Sequence, residues 1–453
     1  MSTSSVFAQE MGRDEPATET RDPAQQPASP AAPTTETAPE AAMPDPAAEH
    51  AKFARFDALK PQGQMSDLPG TYDTVLADIG GWRSSLYEKG LFFRGLNSTS
   101  LNYNLASGAD PKTPQRFIGQ KFTAANTTEL RGSVKLGGSG KDIIQFNTAL
   151  LAVVVNWAQA GPSSFNVGRL DFYGSFFDRK VEVTAGYGTN LQNFIGIFAG
   201  GNPILASGLA GAVPVQVGIS SSTAPTPLLN VQLNGKNGFY SKSGVQRSLI
   251  PAGLIEDART NGIGLKFARE GARPLFIQEF GIQKPASAEA RQLWLRAGAI
   301  YNMTDYTRWD GRGTSDNYAF YALGDYQLFQ PDRQLAYRGV YAGVTAQFAN
   351  PNVNATRTNL EGRIYALGMV PGRPEDSVTL TVSYNDFSER ARQSLLALGQ
   401  EAQRDQFSVS LLYAAHVRRG FYMTPTLTYL KNPSFLGDYK PAFNIATTLT
   451  AIF

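Results

Sequence analysis

The chain has 453 residues, of which 17% are charged and 11% aromatic, with a net charge of +3, no cysteine and two histidines. The missing cysteines exclude a disulfide scaffold and a thiolate metal site. The two histidines, His50 and His416, stand far apart and exclude a His-based metal centre. The longest apolar run, Ala149 to Val155, is far short of the roughly 20 residues of a spanning helix. Strands of a membrane β-barrel need only about 9–11 residues, apolar at alternate positions, so that architecture stays open.

Residues 1–50 hold eight of the 27 prolines and little that is large and apolar, too little buried surface to offset chain entropy. A disordered Pro/Ala-rich leader is therefore predicted over residues 1–60. It carries ten acidic residues (Glu10 through Asp57) and five basic ones, a net -5, which leaves +8 for the rest. Val6-Phe7-Ala8 before Gln9-Glu10 resembles a signal-peptidase site and is either the remnant of a signal peptide whose start lies outside this numbering or an accidental small-residue triplet. Residues 61–90 are expected to hold a short helix at Asp78–Lys89 and lead into the barrel.

Residues 91–453 alternate with period two. Gly137-Gly138-Ser139-Gly140-Lys141 lacks phosphate-loop spacing and reads as a hairpin turn. Tyr318, Phe320, Ala322, Gly324, Tyr326 and Leu328 share one face, with Asp325 and Gln327 on the other. Val340 to Phe348, Val378 to Tyr384 and Phe407 to Tyr413 repeat the device against Thr, Ser and Gln. Turn clusters separate them: Pro331-Asp332-Arg333, Asn350-Pro351-Asn352 and Pro371-Gly372-Arg373-Pro374. Segments bounded by aromatics, such as Trp294 to Tyr301, suggest rings at a membrane boundary. Ser388–Gln403 is read as a loop helix or an extended hairpin. Phe443, Ile445, Thr447, Leu449, Ala451 and the final Phe453 share one face of a closing strand, the usual ending of an outer-membrane barrel. The predicted fold class is all-β: a transmembrane antiparallel β-barrel of about 16 strands, with the leader and one short N-terminal helix.

Four stretches carry a family resemblance. Ala77-Asp78-Ile79-Gly80-Gly81-Trp82-Arg83 through Leu91 resembles the opening signature of the carbohydrate-selective porin (OprB) family. Arg169-Leu170-Asp171-Phe172-Tyr173 with Val181 to Tyr187 is similar to its paired strands, Met369 to Val378 to its late turn, and Met423 to Pro433 to its penultimate strand. The resemblance covers about residues 72–453 and implies a single-chain barrel that passes sugars by diffusion through a constricted, water-filled pore, with no catalytic group and no cofactor.

For such a pore, selectivity arises from diameter, aromatic faces and charged groups that match hydroxyls. Lumen candidates are polar residues on the inner face: Arg169 and Asp171 with Glu182 on the next strand, then Arg296, Asp325, and Glu361 with Arg363. Tyr173 and Tyr321 are candidate sugar platforms, or else interface tyrosines. Expected partners are carbohydrate substrates, outer-membrane lipid, the barrel-assembly machinery through Phe453, and a periplasmic or cell-wall contact for the leader; nucleic acid is not expected. The Gly/Ala/Ser-rich stretch 196–227 is an extended surface loop or one folded inward. Two alternatives remain, a structural or export-associated barrel and a membrane hydrolase built on His416 with Ser408 or Ser410.

Overall fold

The structure is a computed structural model and describes residues 46–64, 69–106, 114–196 and 212–453. The leader before residue 46 and the Gly200-Gly201-Asn202 stretch lie outside the described residues. Sixteen strands follow the predicted alternation. The first are β1 (Leu91–Asn104), β2 (Thr123–Gly137), β3 (Ile144–Val155) and β4 (Ser164–Phe176). The next, β5 (Val181–Gly188), β6 (Thr226–Asn234), β7 (Phe239–Arg247) and β8 (Pro274–Lys284), are shorter. Then come β9 (Leu293–Thr307), β10 (Thr314–Phe329), β11 (Gly339–Ala349) and β12 (Thr356–Leu367). The last are β13 (Ser377–Phe387), β14 (Asp405–Arg418), β15 (Phe421–Lys431) and β16 (Ala442–Ile452).

Each strand pairs antiparallel with its chain neighbours, and β16 closes on β1 with Leu96 opposite Ile452 and Asn104 opposite Asn444. Phe453 completes the seam: its N–H donates to the Gly95 carbonyl at 2.8 Å and its carbonyl accepts from Gly95 N–H at 3.1 Å. Closure leaves no unpaired backbone edge, the condition a sheet must meet in hydrocarbon.

Strand parity sorts the two faces. On β13, Leu380, Val382 and Tyr384 are exposed on the outer wall while Thr379, Thr381 and Ser383 are buried inside. Trp294 and Tyr301 do not share a belt, because seven residues along a strand is an odd step. Tyr301 faces out, and Trp294 is buried on the inner wall.

Short turns such as 177–180, 235–238 and 419–420 mark the end that carries the C-terminus. The other end carries the long connections 189–225 and 248–273, the latter holding α4 (Leu254–Thr260), where Arg247 pairs with buried Asp257 at 3.0 Å. The Ser388 region is a loop helix, α5 (Glu389–Ala397), capped by Ser388 Oγ accepting from Ala391 N–H at 3.3 Å.

The N-terminal approach differs from the expected disorder through residue 60. Residues Pro46–Asp57 form α1, because Phe53 and Phe56 find an apolar surface in Ala77, Tyr72 and Tyr87. The predicted helix at 78–89 is α2 (Trp82–Glu88) behind a 3-10 turn at Ile79–Gly81. Gly80 and Gly81 both take positive φ (66° and 73°), a region that glycine enters without steric cost. Asp78 Oδ1 accepts from Arg83 N–H at 2.7 Å and Ser84 N–H at 3.0 Å. The Arg83 guanidinium then ties α2 to the barrel, donating to Ala77 O at 2.6 Å, Phe93 O at 2.9 Å and Thr74 Oγ1 at 3.1 Å. Burial pushes this guanidinium down to about 10.

The short helices α3 (Ala212–Gln216) and a π turn at Leu191–Ile195 belong to the connection between β5 and β6, which bears on function.

Candidate functional site

Two chain segments enter the barrel and narrow it from different walls. The first follows α1. Leu59 O accepts from Gln145 Nε2 of β3 at 3.1 Å and from Ser133 Oγ of β2, and Gln62 O accepts from Arg169 of β4. Gly63, at φ +89°, lies so close to the wall that a Cβ there would be 2.8 Å from Thr184 Oγ1. Residues 59–64 thus form a strap along the inner face of β2 to β5. Past the strap, Asp73 docks on the rim: its Oδ1 is 2.9 Å from His416 Nε2 and accepts from Gly420 N–H at 2.6 Å, and Oδ2 accepts from the Tyr422 hydroxyl.

The second segment is the β5–β6 connection. Leu191, Phe194, Ile195, Val213, Val217 and Ile219 pack on Leu275, Ile277, Ile300, Ala319 and Tyr321 of β8 to β10. These wall positions are apolar although they face inward, since the connection covers them and removes them from water. Polar groups clamp its carbonyls: Lys242 Nζ to Asn193 O at 2.5 Å, Arg296 Nη2 to Ile195 O at 2.6 Å and Asn302 Nδ2 to Val217 O at 2.7 Å. The described part of 196–227 is therefore folded inward.

Glycines on the inner wall let side chains reach across a strand. Glu279 of β8 and Tyr321 of β10 both face Gly298 of β9, and the Tyr321 hydroxyl donates to Glu279 Oε2 at 2.8 Å over it. Tyr240 donates to the other Glu279 oxygen at 2.8 Å while lying over Gly281. On the same wall, beginning four residues further along β10, Asp325, Gly343 and Arg363 are in register across β10, β11 and β12. Arg363 Nη1 also reaches Thr345 Oγ1 at 2.9 Å and Glu361 Oε1 at 3.3 Å, and Ser383 Oγ donates to Glu361 Oε2 at 2.9 Å.

The sequence-derived candidates therefore fall into separate groups. Asp325, Glu361 and Arg363 form one cluster, which Tyr365 joins through its hydroxyl at 3.1 Å from Asp325 Oδ1. Arg169 and Asp171 form a second, with Asp171 Oδ1 accepting from Arg169 Nη2 at 3.0 Å and from Asn147 Nδ2 at 2.9 Å. Glu182 sits apart from that pair, toward the turn, where it binds Arg179 at 3.0 Å and Asn234 at 3.1 Å. Tyr173 is 1% exposed, its hydroxyl accepting from Arg179 at 3.1 Å, and Tyr321 is 4% exposed. Arg296 lies over the Trp294 ring at 3.7 Å.

Sequence reasoning missed Lys242, Glu279 and the strap. Lys242 and Glu279 alternate with outward residues on β7 and β8, so parity alone marks them as inward charges.

His416 faces Asp73, not a serine. Ser410 lies six residues away on the same strand, roughly 20 Å at the usual rise, and its hydroxyl pairs with Thr428 Oγ1 at 3.0 Å. No Ser-His pair of a hydrolase forms there.

The family model described as carbohydrate-selective porin, OprB family, matches residues 123–453. Among solved structures, the high-pH structure of Pseudomonas putida OprB is similar with a TM-score of 0.71 at 14% identity, over 84% of this chain and 98% of that one. The low-pH structure of the same protein gives 0.53 at 14% identity over the same shares. An anion-selective porin from Comamonas acidovorans gives 0.50 at 12% identity, over 80% of this chain and 99% of that one. At these identities the likeness concerns the fold. No curated protein matches the chain by sequence.

Proposed function

The chain belongs to the OprB family of carbohydrate-selective porins, and from this premise we infer how its lumen selects sugars. It is a carbohydrate porin, a passive channel. The carrying observation is that two segments narrow the barrel from its inner wall, beside a cavity lined by polar and charged side chains. A sugar sheds part of its hydration on entering a narrow pore and needs both donors and acceptors in exchange. Gln62, Arg179, Glu182, Gln232 and Asn234, which line a polar cavity beside the strap, supply both, while the buried pairs Arg363 with Asp325 and Arg169 with Asp171 hold the wall behind in fixed geometry. Pairing limits the net charge at each group, so a neutral polyol is not displaced by counter-ions.

The inferred location is the outer membrane of a Gram-negative bacterium, with the short-turn end in the periplasm. There Phe453 serves recognition by the barrel-assembly machinery, and the leader reaches a periplasmic or cell-wall partner. In planar bilayers the purified protein is expected to give discrete conductance steps that fall when glucose or maltose is added. Absence of conductance overturns the reading. Liposome swelling across sugars of increasing size then places the size limit.

A further inference from the structure

The inner wall has two unlike parts, and the charges lie on the covered one. Lys242, Glu279, Arg296, Asp325, Glu361 and Arg363 all point inward, yet none is more than 7% exposed. They bind the inward connection, one another or buried tyrosines. Most of their polar capacity is therefore spent within the protein.

The wall formed by β15, β16, β1 and the start of β2 differs. Thr426 and Thr428 of β15, Thr448 of β16, Ser98 and Ser100 of β1 and Thr127 of β2 face the lumen by strand parity and are only half-buried. Their neighbours Leu427, Leu449 and Leu101 are exposed on the lipid side, as the alternation requires. The six form a continuous patch: Ser100 lies opposite Thr448, Ser98 opposite Thr127, and Thr426 opposite Ala446, the next inward residue along β16 from Thr448. No inward position of β15, of β16 or of β1 between Leu96 and Asn104 is charged. Thr448 Oγ1 donates to Ser100 Oγ at 3.2 Å, and the Thr428 hydroxyl pairs with that of Ser410 at 3.0 Å. A hydroxyl has one donor hydrogen and two acceptor lone pairs, so a single bond leaves capacity toward the water of the lumen.

A sugar carries the same group. Each of its hydroxyls donates and accepts, so it can exchange a water for a wall hydroxyl in either sense. Such contacts are weak and repeated along the wall, which permits both entry and exit. An ion finds no counter-charge on this surface.

We infer that neutral sugars travel along this uncharged hydroxyl strip, and that its Ser and Thr side chains set the preference for polyols over ions. The inference rests on the sugar-porin reading and extends it from the cavity beside the strap to a second wall of the passage. The buried charge network of β7 to β12 is then a frame and does not touch the sugar.

The triple variant Thr426→Val, Thr428→Val and Thr448→Val removes three hydroxyls with little change of shape. In liposome swelling, normalised to folded barrel by heat-modifiable gel mobility, its glucose rate is expected to fall by about threefold or more through the lost hydrogen bonds. Single-channel conductance in KCl is expected to stay near that of wild type. The triple variant Thr426→Ser, Thr428→Ser and Thr448→Ser is expected to keep the wild-type glucose rate. Ser98→Ala with Ser100→Ala repeats the measurement on β1 should the valine triple not fold. Against a glucose-permeable wild type, three results overturn the strip alone: an unchanged glucose rate, a fall in glucose rate and conductance by the same factor, or serine substitutions as slow as the valines. A wild type that passes KCl but no glucose overturns the sugar-porin reading and the strip together.

Discussion

Arg363 and Asp325 stand two strands apart and meet over a residue with no side chain, Nη2 to Oδ2 at 2.7 Å and Nε to Oδ1 at 3.1 Å above Gly343. A Cβ on Gly343 would lie 2.4 Å from Asp325 Oδ1 and 2.5 Å from Arg363 Nε, so any other residue there parts the pair. Glu279 and Tyr321 repeat the arrangement over Gly298. The inner wall is thus cross-linked at a spacing that neighbouring strands alone would not reach.

Removing one partner from such a pair leaves a charge with little solvent. Arg363→Met is expected to destabilise the barrel by about 3–5 kcal/mol, and adding both Asp325→Leu and Glu361→Gln, which removes the two carboxylates left without their cation, to recover most of it. Gly343→Ala is expected to lie between the two. Urea midpoints of the folded-to-unfolded shift in gel mobility give the order, and a single variant R363M as stable as wild type contradicts it.

The strand count, the outer face and the seam were legible in the chain because a half-lipid, half-lumen strand must alternate, and the alternation survives without any partner in view. The inward parity of Asp325, Glu361 and Arg363 was legible for the same reason. Parity does not give register, however. Which glycine lies between which pair depends on cross-strand alignment, so Gly343 and Gly298 carried no signal. The connection containing Leu191 to Ile219 was ambiguous because its Gly, Ala and Ser have no period, and its apolar residues look the same whether they cover a wall or a surface. The strap at 59–64 had no pattern at all: its contacts are made by its own carbonyls, which every residue has.

The Asp73 dock has a pH dependence of fixed sign. Burial alone would raise this carboxyl, but hydrogen bonding and charge from His416, the Tyr422 hydroxyl and Gly420 N–H outweigh it and hold the group below its ordinary 3.8. A folded value below the unfolded one supports docking above the unfolded value, and the support is lost as pH falls through the folded one. Hydrogen exchange of residues 69–78 is expected to be slow at pH 5–7 and to lose protection, relative to intrinsic rates, once pH drops below about 3.8. Asp73→Asn should expose the segment already at pH 7, a cost of about 1–3 kcal/mol for the poorly satisfied donors. A D73N variant with wild-type protection at both pH values contradicts the account.

The strap depends on Gly63. Its φ of +89° disfavours a side chain, by roughly 1–2 kcal/mol for left-handed backbone, and Thr184 leaves no room for the Cβ. Gly63→Ala is expected to lift the strap from β5, raise single-channel conductance and leave the unfolding midpoint unchanged, since the sixteen strands begin only at Leu91. Unchanged conductance would show that the strap does not limit the passage.

The inward connection is anchored in part by Phe194, which is fully buried over Gly244, where a Cβ would come within 2.7 Å of the ring. Truncating a buried phenylalanine costs about 3–5 kcal/mol at its site. The loss is local, because the connection opens without unpairing any strand. Phe194→Ala is therefore expected to leave barrel unfolding nearly unchanged while admitting larger sugars. In liposome swelling, the ratio of the maltotriose rate to the glucose rate should rise several-fold over wild type. The clamps at Lys242, Arg296 and Asn302 keep part of the connection in place, so adding Lys242→Met should raise the ratio further. A rise in glucose and maltotriose rates by the same factor would mean instead that Phe194 sets the number of open channels and not their width.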